Sequence, residues 1–132
     1  MVFAPCAPIA VAPAEGLSPM QRGAVEAGIE LWNGLGFTRL TLSSEGTVPL
    51  KFERAAPFFH GFYDPKTGVV YVNTGLEDPH QIAVVVAHEL GHAMGLPHVE
   101  QNERTSVMNP GNLTVTPTSA DNQLLLSSCP AP

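Results

Sequence analysis

His88-Glu89-Leu90-Gly91-His92-Ala93-Met94-Gly95-Leu96-Pro97-His98 is the stretch on which the reading of the whole chain turns. Two imidazoles four residues apart stand one turn apart on the same helix face, so both reach one ion. A helix is expected because Asp78 suits its N-cap, Pro79 its first position and Gln81 the capping-box position, and the pattern runs to Gly95. Val84-Val85-Val86 alone would suit a strand, but length, caps and histidine spacing favour a helix that is apolar nearly all round and therefore buried. Gly95 can take the positive φ that stops a helix, and His98 then returns beneath the ion. Neutral imidazole is a preferred zinc ligand, and three protein ligands with an open fourth position suit a catalytic ion better than a structural one. Glu89 follows His88 and lies three residues before His92, so its carboxylate borders the metal face without binding the ion. That places a general base beside a Lewis acid, the pairing used to hydrolyse peptide bonds.

Outward from this helix the chain alternates strand and helix signals. Phe58 to Tyr63 and Val69 to Asn73 predict a hairpin around Asp64-Pro65-Lys66-Thr67-Gly68, whose Asp, Pro and Gly are turn formers. Phe37 to Leu42 and Val48 to Phe52 alternate apolar and polar residues as half-buried strands do, and Ile9 to Ala12 predicts a short first strand. Between these, Ser18-Pro19-Met20-Gln21 combines an N-cap, a proline at the first helical position and a capping-box glutamine. Ala24, Val25, Gly28, Leu31, Trp32 and Leu35 then form one apolar face until Asn33-Gly34 and Gly36 stop the helix. A last helix is expected from Thr118, with Asp121 three residues on; it carries Leu124, Leu125 and Leu126 and packs against the core. Strands interleaved with helices indicate an α+β domain with a mixed sheet.

The chain has 132 residues, 44% of them hydrophobic, which suits one domain over 1–132 with a single core. A net charge of −6 comes from scattered Asp and Glu, and six Lys and Arg cannot build the basic stripe that nucleic acid requires. No run of 18 apolar residues could cross a bilayer. Residues 1–16 lack a basic start followed by a long apolar stretch, so no signal peptide is expected among them. Cys6 and Cys129 lie near opposite ends; in a secreted protein such a pair suggests one disulfide, and two unpaired thiols are the alternative. Asn112-Leu113-Thr114 fits the three-residue pattern of a glycan acceptor, a weak match by its length.

Through His88 to His98, and through Ser106-Val107-Met108-Asn109-Pro110, the chain resembles the metzincin clan of zinc peptidases, whose Met-turn the second motif matches. The resemblance implies a zincin-like fold: a twisted, mostly parallel five-stranded sheet with one antiparallel edge strand, about three helices, and Met108 as an apolar floor beneath one catalytic Zn2+. Pro110 two places after Met108 is similar to the matrixins, whereas astacins and serralysins carry a tyrosine there, so no tyrosine ligand is expected. Leu31-Trp32, Val48 to Phe52, Phe58-Phe59-His60-Gly61-Phe62 and Thr118 to Leu126 resemble matrixin elements in order. Val99, however, follows the third histidine where the main families carry Ser, Asp, Glu or Pro.

His60 matches one matrixin ligand for a second, structural zinc, but Val69 to Asn73 holds no histidine to join it. The matrixin calcium loop is reduced to Asp64-Pro65 and a short turn, so neither structural zinc nor calcium is expected. His60 is instead expected as a strand residue and His80 as a solvated residue of a helix's first turn. The resemblance further implies that Phe58, Phe59, His60, Gly61 and Phe62 form a sheet edge whose backbone pairs with substrate, with Pro57 at its start and Pro110 and Gly111 bordering the cleft. Together these readings describe a secreted, monomeric zinc endopeptidase acting on proteins or peptides. The alternative is a catalytically silent zinc-containing protein-binding module of the same fold, against which the retained Glu89 argues.

Overall fold

A computed structural model describes residues 1–54 and 59–129. Within them run five strands: β1 (Ile9–Pro13), β2 (Leu40–Leu42), β3 (Val48–Glu53), β4 (Gly61–Asp64) and β5 (Val69–Asn73). They form one sheet in the order β2-β1-β3-β5-β4. β1 pairs parallel with β2 and β3, and β3 pairs parallel with β5, while β4 alone runs antiparallel, against β5. The described residues also form three helices: α1 (Pro19–Asn33), α2 (Pro79–Ala93) and α3 (Ser119–Ser127). α1 packs along α2, and α2 lies against β4 and β5.

Local chemistry sets the helix ends. Ser18 Oγ accepts from the Gln21 N–H at 3.1 Å and the Ser18 N–H donates to Gln21 Oε1 at 2.9 Å, so both halves of the capping box are present. Asp78 Oδ1 opens α2 by accepting from the N–H groups of His80 and Gln81. α2 ends at Ala93, short of the expected Gly95. Met94 is its C-cap, Gly95 adopts φ +100°, and the N–H groups of Gly95 and Leu96 donate to the carbonyls of His92 and Gly91. This double closure satisfies the last carbonyls and reverses the chain.

The interior explains why α2 is apolar on every side: its residues from Ile82 through Gly91 are all buried between α1 and the sheet. Trp32 is fully buried in α1 and its Nε1–H donates to the Ala87 carbonyl of α2 at 2.9 Å. The two helices approach so closely that a Cβ on Gly28 would lie 2.7 Å from Val86 Cγ1 and 2.8 Å from the Ala83 carbonyl oxygen.

Several strand and helix expectations are corrected. The strand expected over Phe37 to Leu42 begins only at Leu40; ahead of it the Arg39 carbonyl accepts from the Ile9 N–H, the Thr38 hydroxyl donates to Asn33 Oδ1, and the Asn33 side chain also engages the Leu40 backbone. β4 begins at Gly61. Phe59 and His60 precede it, held to β5 by Asn73, whose Nδ2 donates to the Phe59 carbonyl and whose backbone N–H donates to that of His60. Pro57 and Phe58 lie outside the described residues. Of the three leucines of α3 only Leu125 is buried, since successive helical side chains diverge by about 100° and a single face meets the core. A disulfide joins Cys6 to Cys129 with Cα atoms 5.7 Å apart, tying the segment before β1 to the end of α3. Among the described residues no helix is long and apolar enough to cross a membrane.

Candidate metal centre

α2 presents His88 and His92 on one face, and the reversal at Gly95 brings His98 back to them. One ligand nitrogen from each ring lies within 4.8 Å of the others, and the ring centroids are 4.9, 5.3 and 4.7 Å apart. His88 Nδ1 meets the Val107 carbonyl at 2.6 Å and His92 Nδ1 meets the Leu96 carbonyl at 2.8 Å. A carbonyl only accepts, so Nδ1 carries the proton in each ring and Nε2 keeps its lone pair for an ion. Burial pushes His88 down to about 4, against the opposing pull of the Val107 carbonyl and with help from the neighbouring His92 and His98. His92 is lowered too, by burial first, with the Leu96 carbonyl opposing and His98 assisting. The lowering favours the neutral form of both rings, the form that ligates. Three imidazoles with an open side fit a zinc ion of the catalytic type.

Met108 is buried against α2: a Cβ on Gly91, the residue before His92, would lie 2.5 Å from Met108 Sδ, with Trp32 the next neighbour. The turn that delivers it is fastened from α3. Asp121, fully buried, accepts from Ser106 Oγ at 2.5 Å, from the Val107 N–H at 3.0 Å and from the Thr118 N–H at 3.0 Å, and pairs with Arg104 Nη1 at 2.9 Å. Burial alone would raise its carboxyl, but Ser106, Thr118, Val107 and Arg104 outweigh that and hold it below the usual carboxylate range. Asn112 is buried as well; its Nδ2 donates to the carbonyls of Val107 and Val115 and its Oδ1 accepts from Thr114 and Val115. An amide so engaged is no glycan acceptor, which corrects the pattern reading of Asn112-Leu113-Thr114.

A cleft of about 620 Å³ opens over the three histidines and Glu89. Phe59, His60, Gly61 and Phe62 line one side, Gly111 and Asn112 another. Pro110 is exposed and is not on the lining, although the residue after it is. His60 is half-buried on the cleft wall, just outside the strand in which it was expected, and His80 is exposed in the first turn of α2. Glu89 is buried, and burial pushes its carboxyl up to about 8, opposed by the Tyr63 backbone N–H. β4 passes directly over it: a Cβ on Gly61 would lie 3.1 Å from Glu89 Cγ, 2.7 Å from Val85 Cγ1 and 2.9 Å from the Tyr71 carbonyl oxygen.

Sequence reasoning missed the N-terminal segment altogether. Met1 and Val2 line the cleft, the Tyr63 hydroxyl donates to the Met1 carbonyl at 2.6 Å, the Met1 ammonium meets the Pro65 carbonyl, and the Phe3 N–H donates to the Ala93 carbonyl at 2.8 Å. It also read Asp121 only as a helix cap, and gave Asn109 and Asn112 no part in the site. The N-terminal contacts and the bonds from Asp121 to Ser106 and Val107 join residues far apart in the chain, so no local pattern announces them, while the asparagine contacts fall within irregular loops that carry no periodic signal.

No family model matches the chain, and no curated protein sequence matches it at a significant level. Solved structures do match. One crystal structure of myroilysin superposes with a TM-score of 0.72 at 13% identity, over 98% of this chain and 86% of that one. A second myroilysin structure gives 0.70 at 12% identity, over 99% of this chain and 96% of that one. At such identity the likeness speaks for architecture alone, and with the three helices and five-stranded mixed sheet it establishes an α+β, zincin-like fold in which two histidines of the second helix and one beyond it form a group able to hold a metal ion.

Proposed function

We propose that this chain is a zinc-dependent endopeptidase, with His88, His92 and His98 holding one ion and Glu89 acting as general base. The observation that carries the reading is the convergence of three imidazoles within 4.8 Å beside a buried carboxylate, at the floor of an open cleft. When bound, a zinc ion supplies Lewis acidity, polarising a carbonyl and acidifying water. The remaining work falls to the chain. Glu89 takes a proton from the attacking water on its carboxylate and returns it to the leaving amine. Among the described residues β4 pairs with β5 alone, and the Tyr63 backbone N–H is engaged with Glu89. An extended substrate can add to the edge of β4 by backbone hydrogen bonds, with Phe59, His60, Gly61, Phe62 and Gly111 lining the cleft around it. Pro110 after Met108 favours a matrixin-like member of the clan, and the Cys6–Cys129 disulfide favours an oxidising, extracellular setting.

The test is to load the purified chain with zinc and incubate it with a proteome-derived peptide library. Internal cleavages that disappear with a chelator and return with zinc are expected. A chain that binds zinc stoichiometrically but cuts nothing would replace the enzyme with a binding module of the same fold, and a chain that binds no zinc would remove both.

A further inference from the structure

We infer that Asn109 is a positioning residue for the third metal ligand, His98; the inference rests on reading His88, His92 and His98 as a metal centre. The three ligands are not held alike. His88 and His92 stand on α2, and each ring is aimed by a carbonyl on its Nδ1. His98 stands beyond the helix on a segment with neither helix nor strand, and its side chain is exposed. Its anchorage comes through the next residue. The Val99 N–H donates to the Met108 carbonyl at 3.0 Å, and the Val99 carbonyl accepts from Asn109 Nδ2 at 2.8 Å, so both backbone groups of Val99 are pinned to consecutive residues of the Met108 turn.

Asn109 is buried and its whole amide is used. Nδ2 also donates to the Arg104 carbonyl at 3.0 Å, and Oδ1 accepts from the Ser106 N–H at 2.9 Å. One side chain thus closes both ends of the loop from Val99 to Arg104 onto the turn that carries Met108. The chemistry demands an amide: a carboxylate cannot donate to two carbonyls, and alanine leaves two carbonyls and an N–H unpaired in the interior. Ligand distances tolerate only about 0.2 Å, so a clamp one residue from His98 sets whether it completes the coordination.

The experiment measures zinc affinity, by competition with a chromogenic chelator, for Asn109→Asp and Asn109→Ala, each alone and combined with His98→Ala. Absorption spectra of the cobalt(II)-loaded proteins accompany it. Asn109→Asp keeps the side-chain shape and the acceptor for Ser106 while removing both donors, and serves if the alanine variant does not fold. The expected result is an affinity loss of about 10- to 100-fold, the usual effect of removing an outer support of a ligand, with a cobalt spectrum that moves towards that of His98→Ala. In the His98→Ala background the same substitution should cost nothing more. Unchanged affinity, an equal loss with and without His98, or failure of both variants to fold would overturn the inference. A wild-type chain that binds no zinc would overturn the metal centre itself, which distinguishes the two failures.

Discussion

Glu89 and Asp121 are both buried carboxylates, and their surroundings drive them in opposite directions. Glu89 meets apolar walls and one opposing N–H, so burial dominates and its carboxyl is pushed up to about 8. Asp121 meets burial too, but four partners favour its charge and the net shift is downward. The first arrangement suits a group that must take up and release a proton, the second a group that must stay ionised and hold a turn. Glu89→Ala should retain one bound zinc yet lose about 100- to 10,000-fold in peptide hydrolysis, because it spares every ligand and removes the proton acceptor. Near-wild-type turnover in a zinc-loaded variant would dismiss that role. For Asp121 the sign follows from its lowered pKa: its stabilisation is fully present above the unfolded value of about 3.9 and is lost as pH falls through the lower folded value. Asp121→Asn should therefore cost about 1–3 kcal/mol at pH 7, and the gap from wild type in denaturant titrations should narrow as pH falls below about 4. A gap independent of pH would show that the charge is not what matters.

Within the elements, the α1–α2 contact decides how closely the helix that carries His88 and His92 is held. Gly28 and Gly23 stand on the same helix in opposite circumstances: a Cβ at Gly28 would strike Val86 and the Ala83 carbonyl, whereas at Gly23 nothing lies within 4 Å. Alanine is better than glycine in a helix by about 1 kcal/mol, so Gly23→Ala should stabilise the protein by roughly 0.5–1 kcal/mol. Gly28→Ala gains the same propensity but must separate two packed helices, an overpacking cost of about 1–3 kcal/mol or more when backbone is the obstacle. Thermal midpoints of the two variants should move apart, and a rise in both would mean that the helix contact yields without cost. The position of Gly28 on an apolar face was legible in the residues. That it marks the closest approach to α2 was not, because the partner helix is remote in the chain.

For the whole molecule, the disulfide joins residues 123 positions apart and so constrains nearly the entire unfolded chain. In the chain-entropy account a loop of this size contributes up to about 4 to 5 kcal/mol. Replacing both cysteines together, Cys6→Ser with Cys129→Ser, should lower the denaturant midpoint while leaving zinc affinity close to wild type, since the bond lies outside the residues that hold the triad. Parallel loss of zinc affinity in a folded double variant would mean that α3 and the Met108 turn depend on the bond for their position. That outcome has a physical route, because α3 carries both Asp121 and, just beyond its end, Cys129.

Whatever depends on neighbours along the chain could be read from residues alone. The i, i+4 histidines, the two capping boxes, the Asp78 cap and the turn at Gly95 act within a few residues, so their spacing suffices to place α1, α2, α3 and His88 and His92 on one helix face. Strand edges were less legible, because Phe37 to Arg39 and Phe59-His60 alternate as strands do while the side chains of Asn33 and Asn73 take up hydrogen bonds near them. The strand order β2-β1-β3-β5-β4, the Asp121 anchor, the Asn109 clamp and the N-terminal wall of the cleft belong to tertiary structure alone. Each depends on contacts that no periodic pattern announces, and a polar side chain that caps a helix in the sequence reads the same whether or not it also accepts from the turn that carries Met108.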